Sequence, residues 1–267
     1  MKRDVEVPGQ TQPAERNKHG TTRRSCAISV AEGYERWAPN YDHFPNPLLA
    51  REERHLLPLL TDLHGKRVLD LACGTGRWLE TLTLQGGKSG AGVDCSIAML
   101  RVGSTKRCIA GRLARATSEN LPFGNAVFDL AICSFALGHL TDWGSTLREL
   151  ARVTRPRADV FISDLHPDSY ARGWRVGFRD EGSALEIEML PREAEEIVQM
   201  FCSNGFESIA RWALCLGEQE KPIFVRAGKA DTFAQACQSP AVLVCHFKRQ
   251  SAGSIQLPLE GSMEALQ

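Results

Sequence analysis

No part of the chain constrains its fold more than residues 68–78, which read VLDLACGTGRW. A short apolar run, typical of a buried strand, ends there in a glycine-rich turn, and residues at helical spacing follow the turn. At the start of a helix the backbone N–H groups face a ligand, and glycine lets the ligand approach because it has no Cβ. The segment therefore predicts a strand, a cofactor-binding loop and a helix in succession.

Two phosphate-binding loops share this outline, and the sequence departs from both. A nucleoside-triphosphate loop requires GxxxxGK followed by Ser or Thr, which is absent here. A dinucleotide fingerprint, GxGxxG, would place its third glycine at position 79, which is Leu79, and it does not require an acid at Asp70. Both phosphate-binding interpretations are therefore weakened.

A second motif, GAGVD at residues 90–94, places an acid where the next predicted strand ends. In nucleotide-binding sheets an acid at this place accepts hydrogen bonds from the ribose hydroxyls. An aspartate at a strand end is, by itself, more often a helix N-cap. Because Asp94 follows the glycine loop, the ribose-binding interpretation is favoured over the N-cap.

Between the two ends of the chain, short apolar strands alternate with segments of helical spacing. Such alternation is typical of a parallel sheet with helices on both faces, and a length of 267 residues suits one α/β domain. The last two predicted strands, within ARWALCLG and PAVLVCHFKR, have no obvious crossover helix between them. One of them is therefore expected to run antiparallel to the rest.

The ends of the chain differ from the middle in composition. Residues 1–28 are rich in basic side chains and poor in large apolar ones, so they bury too little surface to offset their ordering entropy. The sequence therefore predicts a disordered arm over 1–28, a domain over 29–249 and a flexible tail over 250–267.

Charge and composition argue against several classes of protein. The formal net charge is 0, which removes the long-range attraction to phosphates, so nucleic-acid binding is not expected. No run approaches the roughly 18 to 20 apolar residues of a membrane span, and the first residues lack the apolar segment of a signal peptide. The nine cysteines form no CxxC and no cysteine–histidine pair at ligand spacing. The sequence therefore predicts a cytoplasmic protein with reduced thiols and no metal site.

The chain resembles the class I S-adenosylmethionine-dependent methyltransferases, particularly the small-molecule branch that includes the ubiquinone and menaquinone C-methyltransferases. The motifs that carry the resemblance are DLACGTG and AGVD, with YERWAPNYD at 34–42, ENLPF at 119–123 and LRELARVTRP at 147–156. The resemblance implies a Rossmann-like, seven-stranded sheet of order 3-2-1-4-5-7-6 with an antiparallel last strand. It also implies S-adenosyl-L-methionine as the cofactor.

Carried over residue by residue, the resemblance assigns the methionine part of the cofactor to Gly74 and Gly76. It assigns the ordering of the loop and the amino group to Asp70, and the ribose to Asp94. The family often has an aspartate where Thr117 stands, and a hydroxyl accepts a weaker hydrogen bond from the adenine amino group than a carboxylate does. The expected cofactor residues are Tyr41, Asp70, Ala72, Gly74, Gly76, Asp94, Cys95, Ser96, Met99, Thr117, Ser118 and Ser134.

Methyl transfer from a sulfonium requires alignment of the reacting atoms and exclusion of water, and it requires no metal. Tyr34 and Tyr41 are expected to cover the cofactor with their aromatic faces. His139, just past the fourth strand of the expected sheet, is one candidate for a general base, and His166, at the end of the fifth, is the other. A third alternative is that no base is needed, because the substrate arrives ionised.

The resemblance places a substrate cover at about residues 165–192, between the fifth strand and the next helix. Aromatic and guanidinium side chains there suit a planar or anionic small molecule. A solvated hairpin whose arginines pair with Asp180 and Glu181 is equally compatible with the sequence. The expected substrate residues are Tyr34, Trp174, Arg175, Phe178 and Arg179.

Three functions follow from these residues. The first is methyl transfer to an O, N or acidic C atom of a small molecule. The second is methylation of a carrier-bound carboxylate, which the arginine-rich cover suggests. The third is a cofactor-binding module without catalytic activity, for which Thr117 is the only hint. The intact glycine loop and Asp94 disfavour the third.

Overall fold

The computed structural model describes residues 26–87 and 89–251. In these ranges the strands are β1 (Cys26–Ile28), β2 (Arg67–Leu71), β3 (Ser89–Asp94), β4 (Leu113–Arg115), β5 (Phe128–Ser134), β6 (Thr154–Leu165), β7 (Gly177–Asp180), β8 (Ser183–Ile187), β9 (Phe206–Leu214) and β10 (Val242–Arg249). The α-helices there are α1 (Val30–Trp37), α2 (Pro47–Leu56), α3 (Arg77–Leu84), α4 (Ile97–Gly103), α5 (Trp143–Val153), α6 (Pro167–Ala171), α7 (Ala194–Ser203), α8 (Lys221–Arg226) and α9 (Phe233–Ala236). None of these helices combines the length and the apolar character that a bilayer crossing requires.

Seven of the described strands form one large sheet. Its order is β4-β3-β2-β5-β6-β10-β9, which becomes 3-2-1-4-5-7-6 when these strands alone are numbered along the chain. The pairs between β4, β3, β2, β5 and β6 are all parallel. Strand β10 lies antiparallel to both β6 and β9. The expected strand order and the antiparallel last strand are therefore confirmed.

Strand β2 shows that the large sheet is buried on both faces. Side chains alternate between the two faces of a strand, so Val68 packs into one apolar cluster, while Leu69 and Leu71 pack into the other. The cluster around Val68 includes side chains of α2, α3 and α8, and the cluster around Leu69 includes side chains of α5 and α7. With helices on both faces, ligands reach this sheet where its strands end.

A smaller sheet, of order β1-β8-β7, packs against α1. Strand β1 pairs in parallel with β8, from Cys26 opposite Leu185 to Ile28 opposite Ile187. The packing on α1 is close, because a Cβ on Gly33 would lie 2.6 Å from Cγ1 of Ile187. Residues 26–28, which the sequence predicts as the end of the arm, pair with β8 in this sheet, and the domain boundaries stay a prediction. The rest of that arm, and the predicted tail beyond residue 251, lie outside the described residues.

Candidate functional site

A cavity of about 490 Å³ opens where β2, β3, β4 and β5 end. Parallel strands bring the loops that follow them to the same edge of the sheet, which is where open α/β sheets bind ligands. Helix α1 and the segment as far as Tyr41 form the opposite wall. The expected cofactor residues that line the cavity are Tyr41, Asp70, Ala72, Gly74, Asp94, Cys95, Ser96, Met99, Thr117, Ser118 and Ser134.

The two glycines of the loop differ in what surrounds them. Gly74 lines the cavity with φ of +55°, and a Cβ there would meet no protein atom within 4 Å. Gly76 does not line this cavity; its φ is +77°, and a Cβ there would lie 2.5 Å from Cδ1 of Ile109. The first glycine therefore leaves room for a ligand, while the second allows the loop to pack against Ile109. Two other residues of the wall, Ala72 and Phe135, also have left-handed φ, which stores backbone strain at the strand ends.

Asp70 orders the glycine loop by capping the helix that follows it. Its side chain is buried, and Oδ2 accepts a hydrogen bond from the backbone N–H of Leu79 at 2.9 Å. Helix α3 begins after Gly76, which has no side chain to offer as a cap, so Asp70 satisfies a free N–H of the first turn. Burial raises the pKa of Asp70 to about 7, against the effects of that hydrogen bond and of Arg77. A cation bound beside this carboxyl would favour its charged form.

Asp94 joins the glycine loop to the start of α4. Its Oδ2 accepts a hydrogen bond from Gly74 N–H at 2.7 Å, and its Oδ1 accepts one from Ser96 N–H at 2.8 Å. Burial raises the pKa of Asp94, although these backbone N–H groups oppose the shift. A carboxylate offers about four acceptor positions, so these two bonds leave acceptor capacity for a ligand such as a ribose diol.

Asp94→Ala should weaken binding of S-adenosylhomocysteine by about 1 to 3 kcal/mol, because hydrogen bonds to a charged acceptor are lost. Isothermal titration calorimetry measures the effect directly. Asp129→Ala is a matched control, since Asp129 also accepts a backbone N–H, from Arg67 at 2.9 Å, but does not line the cavity. An Asp94 variant that binds within a few tenths of a kcal/mol of the wild type would place the ribose elsewhere.

The wall after β3 and β4 is where the resemblance places the adenine. Ser96 caps α4, its Oγ accepting from Met99 N–H at 3.3 Å, and Ser118 shares a hydrogen bond with Thr146 at 2.8 Å between hydroxyl oxygens. The Cys95 thiol stays protonated at neutral pH because burial raises its pKa. Thr117 also lines the cavity here.

Tyr34 and His139 meet across the cavity, although they lie far apart in the sequence. The distance between Tyr34 Oη and His139 Nε2 is 3.0 Å, and His139 Nδ1 lies 2.9 Å from the backbone carbonyl oxygen of Glu188. Burial lowers the pKa of His139, against the effects of Asp164 and of the Glu188 carbonyl, and burial raises the pKa of Tyr34. Both side chains are therefore neutral near pH 7.

His166, the other candidate base, lies outside the lining of this cavity. It is the N-cap of α6, and its Nδ1 accepts a hydrogen bond from Asp168 N–H at 3.2 Å. Burial lowers its pKa, which is opposed by Asp168. A catalytic role for His166 would require a substrate-bound form in which this cap is broken.

The expected substrate residues of the cover pack against the protein itself. Trp174 joins the apolar cluster around Val68, and Phe178 stacks on Trp37 with ring centroids 5.1 Å apart. The guanidinium of Arg175 lies 3.9 Å above the Tyr170 ring and donates to two backbone carbonyls. Arg179 donates to the Gly182 carbonyl at 3.4 Å, and Asp180 pairs instead with Arg36 of α1. Of the five expected substrate residues, the cavity lining includes Tyr34.

A buried polar cluster beneath the cavity was missed by the sequence analysis. Glu52 of α2 has no exposed surface, and it accepts hydrogen bonds from Arg77, from Ser163 and, at 3.3 Å, from the Trp78 indole. Arg77 lines the cavity and also donates to Ser134 at 3.0 Å. The available signal was a charged residue on the apolar stripe of a helix, because Glu52 stands between Leu48 and Leu56 at i, i+4 spacing.

The lining fits S-adenosylmethionine, the cofactor that the resemblance implies. Asp94 has acceptor positions left for a ribose, and Gly74 leaves room where a Cβ would project. The aromatic rings of Tyr34 and Tyr41, with centroids 6.4 Å apart, supply faces that attract a positive sulfur. Within residues 26–87 and 89–251, no group of three or more His, Cys, Asp or Glu side chains is placed to hold a metal ion.

Comparison with known proteins agrees with the geometry. A family profile described as "Methyltransferase domain" matches residues 68–157. A demethylmenaquinone methyltransferase of Lactiplantibacillus plantarum is 35% identical over 143 residues, which are 49% of this chain and 60% of that protein. One of Mycolicibacterium paratuberculosis is 39% identical over 112 residues, or 40% of this chain and 45% of that protein. The chain thus spans about half the length of the curated relatives that it matches.

Solved structures share the fold at low sequence identity. An S-adenosylmethionine-dependent methyltransferase from Mesorhizobium loti has a TM-score of 0.58 at 21% identity, and the match covers 74% of this chain and 98% of that one. The [4+2]-cyclase SpnF has a TM-score of 0.58 at 15% identity, with 85% of this chain and 98% of that one covered. The fold therefore supports more than one chemistry. Residues 68–157 thus match a methyltransferase domain, and in its motifs and strand order the chain resembles the class I S-adenosylmethionine-dependent methyltransferases, the quinone methyltransferases among them.

Proposed function

We propose that the protein transfers the methyl group of S-adenosylmethionine to a small, neutral, planar acceptor, a hydroquinone-type ring methylated at carbon. The observation that carries the proposal is the single cavity wall that joins Gly74 and Asp94 to the Tyr34–His139 pair. This arrangement puts the expected nucleotide-binding residues and a hydrogen-bonding pair in one space. The demethylmenaquinone methyltransferases among its relatives support the choice of a quinol acceptor.

The chain's own residues have three tasks in this reaction. Asp94 and the loop at Gly74 hold the nucleotide and fix the position of the methyl group. When bound, the cofactor supplies a methyl group that a positive sulfur has already activated. Tyr34 and Tyr41 line the cavity with aromatic rings that keep water from the reacting atoms, and Trp37 packs against Tyr41 with centroids 4.8 Å apart. Alignment in this dry site accounts for much of the rate.

The charges near the Tyr34–His139 pair favour a neutral acceptor over an anionic one. Val30 and Ala31, one turn before Tyr34 on α1, line the cavity, as does Leu140 next to His139. The two arginines of the described lining are engaged, Arg77 by Glu52 and Arg115 by the Cys95 carbonyl. Burying an acceptor's charge without a partner would be unfavourable. The cavity thus argues against the alternative of a carrier-bound carboxylate.

A methyl-transfer assay with the full chain tests the proposal. Calorimetry with S-adenosylhomocysteine first establishes binding, and a labelled methyl donor is then offered with a short-tailed naphthohydroquinone, a catechol, an amine and a carboxylic thioester. We expect mass spectrometry to find the methyl group on a ring carbon of the naphthohydroquinone, and Asp94→Ala to lose that product.

Other outcomes of the same assay separate the alternatives. Methylation of the thioester's carboxylate alone would support the carrier-bound reaction. Binding of S-adenosylhomocysteine without transfer to any acceptor would contradict the proposal and favour a module with other chemistry, as the fold shared with a [4+2]-cyclase allows. The cytoplasmic location expected from the sequence stays a prediction.

A further inference from the structure

Both ring nitrogens of His139 are already occupied in the folded protein. The Glu188 carbonyl can only accept a hydrogen bond, so the proton of the neutral imidazole lies on Nδ1, 2.9 Å from that oxygen. Nε2 then has only a lone pair, and the Tyr34 hydroxyl, 3.0 Å away, must be the donor to it. A substrate in the cavity therefore finds no free nitrogen on His139. The exposed acceptor of the pair is the hydroxyl oxygen of Tyr34.

The surroundings of the pair suit a transient positive charge on His139. Asp164 lies close enough to raise the pKa of His139, and it is held in place by hydrogen bonds from Gly138 N–H at 2.8 Å and Leu165 N–H at 2.7 Å. A proton arriving at Nε2 would be stabilised by this carboxyl and by the Glu188 carbonyl at Nδ1. A Tyr34 anion has no such support, since Tyr41, Asp94 and Cys95 all disfavour it.

The small sheet holds both members of the pair in place. Tyr34 stacks on Trp37 with centroids 6.1 Å apart, and Trp37 stacks on Phe178 of β7. The Glu188 carbonyl follows directly after β8, and Glu188 N–H donates to the Ile28 carbonyl of β1 at 3.0 Å. Two residues of the predicted substrate cover therefore act on the pair. Phe178 holds the Tyr34 ring in position through Trp37, and the Glu188 carbonyl fixes the tautomer of His139.

We infer that Tyr34 is the catalytic group that receives the acceptor's hydroxyl proton, and that His139 accepts the proton that Tyr34 gives up. In one step the acceptor O–H bond breaks, its proton bonds to Tyr34 Oη, and the proton that Tyr34 held moves to Nε2 of His139. The electron pair stays on the acceptor oxygen and increases the nucleophilicity of the acceptor. The inference rests on the proposed methyl transfer and changes the base from His139 alone to the pair.

Tyr34→Phe separates this relay from direct catalysis by His139. If the relay operates, Tyr34→Phe and His139→Gln each lower kcat by about 10²-fold, and the double variant is little worse than either. Affinity for S-adenosylhomocysteine should change less than about threefold in Tyr34→Phe, because the ring remains. If His139 acts alone, removing the hydroxyl frees Nε2, and Tyr34→Phe keeps at least half of the wild-type kcat. That result would overturn the inference.

Two further readouts exclude a merely structural role. An acceptor with a more acidic hydroxyl that is still neutral at the assay pH should lose less activity in both variants, because its proton needs less help to leave, whereas a misfolded site would show no such difference. The pKa of His139 is lowered from 6.5, so the wild-type kcat should decrease at a pH below 6.5, where His139 is already protonated and cannot accept a proton. The pH profile of His139→Gln should lack this decrease. The charged and titratable groups that face the pair are Asp164, Tyr41, Asp94 and Cys95.

Matched controls and a measurement without turnover complete the test. Tyr170→Phe and His246→Gln change the same residue types outside this cavity and should leave kcat unchanged. Nitrogen NMR of the full chain should find the Nδ1–H tautomer of His139, and Tyr34→Phe should move the Nε2 resonance. An Nε2–H tautomer would overturn the relay even if methyl transfer is confirmed. A wild-type protein that binds S-adenosylhomocysteine and methylates nothing would instead remove the proposed function and the relay with it.

Discussion

Gly74→Val should weaken binding of S-adenosylhomocysteine by at least about 10²-fold, a change that calorimetry measures directly. Gly74 lines the cavity, and the space beside its Cα is free of protein atoms within 4 Å. The valine side chain would therefore project into the volume that a ligand needs. The φ of +55° adds backbone strain of about 1 to 2 kcal/mol, which lowers the free energy of unfolding but does not by itself fill the site.

Gly111→Val isolates that strain from the loss of space. Gly111 has φ of +75° and equally open surroundings, and it does not line the cavity. The two variants should therefore have similar melting temperatures, while Gly111→Val keeps wild-type affinity. Equal affinities in both variants would show that the ligand does not approach the loop at Gly74.

Glu52→Gln should lower the free energy of unfolding by about 1.5 to 3 kcal/mol, because it removes the closest charged acceptor of the partly buried Arg77 guanidinium. Glu52 has no exposed surface and the Arg77 side chain is 23% exposed, so water reaches the pair from the Arg77 side alone. Urea unfolding followed by circular dichroism measures the change. Without Glu52, Arg77 should be held less firmly against Ser134 in the cavity wall. Affinity for S-adenosylhomocysteine should therefore fall as well.

Glu53→Gln is the neighbouring control. Glu53 also pairs with Arg77, at 3.3 Å, but its side chain is 39% exposed, and such a pair contributes less than about 1 kcal/mol. Adding Arg77→Met to Glu52→Gln should cost little more than Glu52→Gln alone, because the two residues form one interaction. Additive losses would show that Glu52 stabilises the fold through Trp78 and Ser163 instead.

The glycine loop could be predicted because its signals are local, whereas the strand order was expected from the family resemblance. A strand, a left-handed turn and a capped helix are set by residues within a few positions of each other, as Asp70 and Leu79 show. The cover could not be predicted in the same way. Its aromatic and arginine content suits a binding surface, yet Phe178 packs on Trp37 and Arg175 on Tyr170, and composition cannot tell which face a side chain will occupy.

The two histidines show most clearly the difference between what the sequence predicts and what the tertiary structure decides. By sequence, His139 and His166 are equivalent, since each follows a strand of the sheet and each has an unperturbed pKa that suits a base. His166 becomes a helix cap through its neighbour Asp168, while His139 joins Tyr34, 105 positions away, and the Glu188 carbonyl. The sequence by itself determined the strand, glycine turn and helix at residues 68–84 and the alternation of an α/β fold, because these depend on short-range backbone conformation and periodic burial. Only the tertiary structure decided which histidine faces the cavity, which tautomer it holds and which hydroxyl stands before it, because those depend on contacts between segments that only the folded sheet brings together.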